Sequence, residues 1–339
     1  MKLAIVSTTI HGEKGYLAFD RLAATSPFSD VCFAISGDIN SEPFDSSRFK
    51  CDVEYLDVKA QGRYHCSELI GWRKIMRRNT ALLSAIAKNP DYILMIDDDN
   101  IPEEDYFDVW HKVLTTPVEQ RCVGGPGIDS WHNYLRTSDA SIVIYPRGYP
   151  VPFRHVDNTR IERLIDPIPN SRIGVYQGIS LCDPDIDAMT RLVYPYAIQS
   201  VEEKNYCLQN VWSPYNTQNT MFAKILFPLA FVWPHCGRYD DIYSSYTWQK
   251  LLFNNDMYAH VGDAGNYQDR GYRIILKDLS DEQEGYFHSH KVWEAINQIT
   301  AYDPLDFICA LINTKQEIIE RQSEFMHAFL KDICEGMNV

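Results

Sequence analysis

What the sequence lacks narrows it first. No run approaches the roughly 18 uninterrupted apolar residues that a membrane helix needs. The opening stretch MKLAIVSTTI is too short for a secretory signal, and His11, Glu13 and Lys14 follow it at once. The nine cysteines are odd in number and form no CxxC pair, which suits reduced thiols in a cytoplasm rather than a disulfide framework or a zinc cage. G-x-S-x-G, HExxH and GxxxxGK[ST] are all missing, so serine hydrolase, zinc protease and P-loop NTPase readings have no support. Positive charge is scarce: 32 Lys+Arg stand against 46 Asp+Glu, a net charge of −14. That balance disfavours broad binding to nucleic acid or anionic membrane, although a local basic patch would still allow either. There is no internal repeat and no low-complexity tract.

What is present is the material of a folded α/β chain. Its 339 residues are 45% hydrophobic and 13% aromatic, enough for a sizeable core and too much for disorder. Leu3–Val6 is a short apolar run ending in Ser7, Thr8 and Thr9, and reads as a buried strand. A helix near Tyr16–Ala24, a strand over Val31–Ile35 and a third near Val53–Val58 follow. Leu69, Ile70, Ile75, Leu82, Leu83 and Ile86 then recur at helical spacing, predicting a helix over Ser67–Lys88 that Asn89-Pro90 stops, before a strand over Tyr92–Ile96. This alternation predicts a mostly parallel sheet with helices on both faces, whose ligands sit at the carboxyl ends of its strands. Residues 124–210, rich in Tyr, Pro, Asp and Gly, show no periodicity and read as a loop-heavy insertion, a lid or an acceptor site. Regular structure returns over Asn219–Leu252, and Leu305–Leu311 and Gln316–Ile333 show helical spacing, with Gly336 placed as a C-cap.

The most informative feature is Asp97-Asp98-Asp99, at the carboxyl end of the Tyr92–Ile96 strand. Carboxylates about 4 Å apart near a protein surface repel by up to about 4 kcal/mol at an effective dielectric near 20. Three side by side therefore cost stability unless a cation binds there. On an extended backbone Asp97 and Asp99 share one face. Two oxygen ligands on one face suit a hard divalent cation, Mg²⁺ or Mn²⁺, which also binds phosphate oxygens. A structural use stays open, because Asn100 followed by Glu103, Glu104 and Asp105 also suits a helix start. Arg73, Lys74, Arg77 and Arg78 form a dense basic cluster just upstream. On a continuous helix they make like-charge i,i+4 pairs that cost a few tenths of a kcal/mol each, which a diphosphate would offset. Arg77 and Arg78 are the candidates for phosphate or sugar contact, a solvated helix face being the alternative.

Four segments, in order, carry a family resemblance: IDDDN (Ile96–Asn100), RGYPVPF (Arg147–Phe153), QGISLCDPDID (Gln177–Asp187) and GRYDDIYSSYTW (Gly237–Trp248). With them the chain resembles the reversibly glycosylated polypeptides and UDP-arabinopyranose mutases, and the related STELLO-type glycosyltransferases. The resemblance implies a GT-A type, Rossmann-like α/β fold: a nucleotide-binding half over 1–123, an acceptor and catalytic half over 124–285, and a C-terminal helical extension over 286–339 that it does not cover. It implies a UDP-sugar donor, with Asp97 and Asp98 at the diphosphate, Asp97 and Asp99 on the metal, and His260 near a third metal or phosphate position. Base and ribose fall at the first two strand ends, at Thr8, Thr9, His11 and Asp38; ordinary turn chemistry accounts equally well for those residues. Asp240 and Asp241 fall in the active site as catalytic carboxylates, one a general base or a stabiliser of the sugar's positive charge; a helix cap is their other reading.

Further contacts to sugar or acceptor are expected from Arg147 and Gln177 in the matched segments and from Asp185 and Asp187 in a turn. Asn216, Gln218 and Asn219 offer amides for hydroxyls, and Trp212 and Tyr215 offer rings for C–H faces; each also fits core or loop. The expected reaction moves a sugar, a pentose such as arabinose or a hexose, from a UDP-sugar to a hydroxyl acceptor. A modified DNA base, a glycan or a protein all stay open as that acceptor. The alternatives are a pyranose–furanose mutase, whose self-glycosylated arginine would be Arg78 or Arg154, and a non-catalytic nucleotide-sugar binding subunit. The C-terminal helices would then dock a partner or build a homo-oligomer, and no membrane partner is expected.

Overall fold

The computed structural model describes residues 1–116, 118–124, 130–135, 143–154, 161–183, 185–194, 205–268 and 274–336. Pro184, within the Asp183–Asp187 turn, and several stretches of 124–210 lie outside them. The described strands are β1 (Lys2–Thr8), β2 (Asp30–Ser36), β3 (Asp52–Leu56), β4 (Tyr92–Ile96), β5 (Asn100–Pro102), β6 (Val118–Gly124), β7 (Ile161–Ile168), β8 (Ile173–Cys182), β9 (Tyr206–Gln209), β10 (Asn219–Ala223) and β11 (Tyr258–Gln268). They form one sheet in the order β3-β2-β1-β4-β10-β8-β11-β9-β6-β7, with β5 paired to β11. β3, β2, β1 and β4 are mutually parallel, and β10 runs antiparallel between β4 and β8. Beyond β4 the sheet is mixed. The architecture is α/β: a large central sheet with helices on both faces.

The parallel strands are apolar at successive positions because both faces are covered. Ala4 and Val6 of β1, with Ile93 and Met95 of β4, pack with Leu82, Ala85 and Ile86 of the helix Arg78–Ala87. Leu3, Ile5, Leu94 and Ile96 face the other way, onto Phe19, Phe107 and Trp110 of the helices Leu17–Ala23 and Tyr106–Thr115. Since β1, β2 and β4 run together, their carboxyl ends share one sheet edge. β10 starts at that edge because it runs the other way.

Two expectations change. The helix over Ser67–Lys88 is broken: a short helix Ser67–Ile70 ends at Gly71, and both Gly71 (φ 74°) and Arg73 (φ 59°) are left-handed before the helix Arg78–Ala87 begins. No i,i+4 basic ladder forms. The 124–210 stretch also contains β8, a central strand buried from Ile173 to Ser180, whose β-branched residues are interrupted by Gly174 and Gly178 and so mimic a loop.

At the C-terminus the 23-residue helix Ile275–Asn297 runs through the expected division after residue 285. The helices Pro304–Ile312 and Ser323–Gly336 follow. Phe325, Met326, Phe329 and Ile333 of the last helix turn into the main core, so its apolar face is already used. Asp332 on the same helix accepts the backbone N–H groups of His65 (2.7 Å) and Cys66 (2.9 Å), tying the chain's end to the loop that leads to Arg78. Replacing Asp332 by Ala leaves both donors without their carboxylate and is expected to lower the unfolding free energy by about 1–3 kcal/mol. Chemical denaturation measures this, and an unchanged midpoint would show that the C-terminal helix is not keyed to that loop.

Candidate active site

The shared sheet edge carries a cleft of about 440 Å³. At its floor β4 ends and the chain turns: the Asp97 N–H donates to the Gln218 carbonyl (3.3 Å) and the Asn100 N–H to the Asp97 carbonyl (3.3 Å). The three aspartates therefore lie on a turn rather than on an extended strand. Even so, Asp97 and Asp99 converge. The Gln268 amide nitrogen lies 3.5 Å from Asp97 Oδ2 and 3.0 Å from Asp99 Oδ1. Gln268 arrives because β5 pairs with the end of β11, Asn100 opposite Gln268. Asp98 turns the other way and accepts the Thr9 hydroxyl (2.6 Å). Burial pushes its carboxyl above the usual range, against the Thr9 bond that lowers it. Close packing holds the turn, since a Cβ on Gly15 would fall 2.2 Å from the Asp98 carbonyl oxygen.

Across the cleft stands a second acidic pair. Asp240 and Asp241 occupy the first turn of the helix Asp240–Asn254, where the helix dipole favours carboxylates. The Asn79 amide bonds both the N–H and the carbonyl of Val232 (2.8 Å each), fixing the segment that leads to this helix against the one that carries Arg78. Arg147 reaches Asp241 through both terminal nitrogens (2.9 and 3.2 Å) and Asp185 through Nε and Nη2 (3.0 and 2.8 Å), with another bond to the Arg238 carbonyl. Burial, and after it the neighbouring Asp241 charge, push the Asp240 carboxyl up to about 7.

Arg78 joins the two acidic groups. It donates to Asp97 Oδ1 (2.6 Å) and to the carbonyl and hydroxyl of Thr217 (2.9 and 2.7 Å), while the Thr217 N–H donates to Asp241 Oδ2 (3.1 Å). Its Nε is buried without a hydrogen-bond partner among the described residues.

Of the expected site residues, Thr8, Arg78, Asp97, Asp98, Asp99, Arg147, Gln218, Asp240 and Asp241 line the cleft. Asp185 and Asn216 stand behind Arg147, with the Asn216 amide on Asp185 Oδ2 (3.2 Å), and Gln177 braces Asn216 from β8. Thr9 holds Asp98, and its hydroxyl receives the His11 N–H (3.0 Å). The Asp38 carboxylate is taken up by the Ile39 and Lys74 N–H groups (2.6 and 3.0 Å), which fix the loop before Arg78.

Others go elsewhere. Arg77, expected at a phosphate, is wholly buried: it bonds the Gln61 side chain and both the carbonyl and hydroxyl of Ser67 (2.7 Å each) and stacks on Trp72 at 3.9 Å. Arg77 and Arg78 follow one another on a helical backbone, where successive side chains diverge by about 100°, so Arg77 points inward while its neighbour faces the cleft. Asp187 caps the helix Ala188–Val193 and pairs with Arg154 (2.5 Å), and Asn219 receives the Tyr106 hydroxyl (2.6 Å) on the opposite face of the sheet. Trp212 and Tyr215 are buried, Trp212 against Trp131 and Trp293. His260 is not brought to the aspartates. It shares a cross-sheet row with Tyr176, Met221 and Leu94, and Leu94 lies three residues before Asp97. That places it about 10 Å short of the turn and about 14 Å across the sheet. Thr217 and Gln268 went unnoticed in the sequence: the first sat inside the flagged amide run, the second had no local signal.

The acid turn fits a divalent cation in its donor chemistry. Asp97 and Asp99 are hard oxygen ligands. Among the described residues no group of three or more His, Cys, Asp or Glu side chains is arranged to hold a metal. Two carboxylates alone form an incomplete shell, the kind Mg²⁺ fills with water and substrate phosphates.

Solved structures resemble the chain only distantly. The S. aureus TarS 1-349 crystal structure aligns over 99% of this chain and 72% of its own at 10% identity and a TM-score of 0.39. Its complex with UDP-GlcNAc aligns over 100% and 72% (10% identity, TM-score 0.40), and its complex with UDP over 100% and 71% (10% identity, TM-score 0.38). No protein-family model matches the chain and no curated protein sequence matches it. Among the described residues no helix is long and apolar enough to cross a membrane.

His260 yields a prediction of its own. Burial pulls its imidazole down to about 4 from 6.5. The folded state therefore holds it neutral, and the stability this represents is complete above pH 6.5 and lost as pH falls toward 4, up to about 3 kcal/mol. The difference in unfolding free energy between the wild type and His260→Phe should shrink or invert by that amount over this window. A constant difference would place His260 in a solvated or paired setting.

Proposed function

We propose that the chain is a GT-A type glycosyltransferase that binds a UDP-sugar with Mn²⁺ or Mg²⁺ and passes the sugar to a hydroxyl acceptor. One observation carries this reading: an acidic turn at the carboxyl end of β4 faces the Asp240/Asp241 pair across a single cleft, with Arg78 between them. Four parallel strands in the order β3-β2-β1-β4 deliver the turn to the edge where such sheets take their ligands.

Asp97 and Asp99 would hold the cation, which when bound would neutralise charge on the departing diphosphate. Arg78 keeps Asp97 in place and adds fixed positive charge at the cleft floor. Thr9 holds Asp98 away from the other two acids. Thr8 lines the cleft beside the turn, where base and ribose would lie. The Asp240/Asp241 carboxyls, opposite the turn, would receive the acceptor's proton or face the anomeric carbon. Gln218 edges the same space and would contact sugar hydroxyls, whereas the expected sugar contact of Arg147 gives way to a positioning role, because its N–H donors are taken up by Asp185, Asp241 and the Arg238 carbonyl.

Transfer is favoured over the mutase alternative by the state of the two candidate arginines. Arg154 is committed to Asp187 and the Tyr149 carbonyl, outside the cleft. Arg78 has both terminal nitrogens engaged. Neither is a ready nucleophile. The sugar and the acceptor class (modified DNA base, glycan or protein) are decided by the open side of the cleft.

Incubation with UDP-glucose, UDP-GlcNAc or UDP-arabinose and Mn²⁺ tests the proposal through UDP release. Release that increases with an added acceptor, and that falls about 100-fold or more in Asp97→Asn or Asp99→Asn, is the expected outcome. Ring-form exchange without UDP release would establish the mutase instead. Thermal stabilisation by a donor with neither reaction would leave a binding subunit.

A further inference from the structure

We infer that Asp240 rather than Asp241 is the carboxyl that takes the acceptor's proton, and that Arg147 is the positioning residue that keeps Asp241 out of the reaction. The inference rests on the transfer reading above and goes beyond it, since that reading leaves the two acids equivalent.

The geometry separates them. Both Asp241 oxygens are engaged: Oδ1 accepts Arg147 Nη1 (2.9 Å), and Oδ2 accepts Arg147 Nη2 (3.2 Å), the Thr217 N–H (3.1 Å) and the Thr217 hydroxyl (3.5 Å). A carboxylate in a two-pronged guanidinium fork gives up charge-assisted bonds to take a proton. The fork cannot swing away, because Arg147 is itself buried and gripped from behind by Asp185.

Asp240 lines the same cleft in a different state. Its carboxyl takes no hydrogen bond from an arginine, a hydroxyl or a side-chain amide among the described residues; its hydrogen-bond partners are the backbone N–H and the carboxyl of Asp241. The other charged or titratable groups that act on it are Arg147, Arg78 and Cys236. Burial and the Asp241 charge hold it near neutrality, the range in which a general base works best at physiological pH.

In the step that follows, an Asp240 oxygen takes the proton of the acceptor O–H. The acceptor oxygen forms its bond to the anomeric carbon while the bond from that carbon to the diphosphate oxygen breaks. The electron pair leaves with UDP, and Asp240 later returns its proton to solvent.

The test follows UDP release by the full chain with Mn²⁺ and whichever of UDP-glucose, UDP-GlcNAc and UDP-arabinose the wild type turns over fastest. The runs span about pH 5 to 9, where the base titrates. In the wild type kcat should rise with pH along a limb near neutrality. Asp240→Asn should lose that limb and about 10²–10⁴-fold in kcat, with the donor KM within a few-fold, and Asp240→Glu should restore the limb. Asp241→Asn should be less impaired, with its limb moved to lower pH because a negative neighbour is gone. Should that variant not fold, Arg147→Lys serves: kcat falls by about tenfold with KM held and the limb kept. Damage in Asp241→Asn equal to or greater than that in Asp240→Asn, or a limb that survives Asp240→Asn, overturns the assignment while leaving transfer intact. A wild type that releases UDP from none of the donors overturns the transfer reading, and this assignment with it.

Discussion

The structure depends on holding five carboxylates at one edge of a sheet. Asp97, Asp98 and Asp99 close one side of the cleft and Asp240 and Asp241 the other. Left in low dielectric without partners, such charges would neutralise or unfold the edge. Two buried guanidinium groups prevent this. Arg78 sits between the acid turn and Thr217, Arg147 between Asp241 and Asp185, and the Thr217 backbone and hydroxyl connect them. The compensation is partial: burial leaves the carboxyls of Asp98 and Asp240 with raised pKa values.

The rest of the fold serves that edge. β1, β2 and β4 end there because they are parallel, and β10 begins there because it is not. The helix Asp240–Asn254 starts there and offers its dipole to the second acid pair. The C-terminal helix reaches around through Asp332 to the loop that delivers Arg78. Residues 286–336 are therefore wound into the same core as the cleft, and the chain's end supports the site from behind.

Features with a local cause could be read from the sequence. The apolar runs of β1, β2 and β4 are continuous because both sheet faces are covered, and the acidic turn follows directly upon one of them. Asp240 and Asp241 read locally as the start of a helix, and their place in a site came only from the resemblance carried by GRYDDIYSSYTW. What depends on long-range geometry stayed hidden. Adjacent Arg77 and Arg78 have opposite fates, and the break at Gly71 and Arg73 that fixes where their helix begins is concealed by helical spacing on either side. β8 runs through the centre of the sheet, yet its glycines, set against Leu252 and beside Gly262, gave it a loop-like composition. Gln268 meets the acids only through the pairing of β5 with β11, and His260 is kept from them by strand register. Neither outcome is written within a few residues of the side chain concerned.

The claim on which the functional account stands is that the acid turn shares a divalent cation with a nucleotide's diphosphate. Calorimetric titration of UDP into the protein, once with Mn²⁺ and once with EDTA, tests it most directly. The account predicts saturable UDP binding with Mn²⁺ that weakens by about tenfold or more in EDTA. Equal affinity under the two conditions, or no uptake of UDP in either, would contradict it.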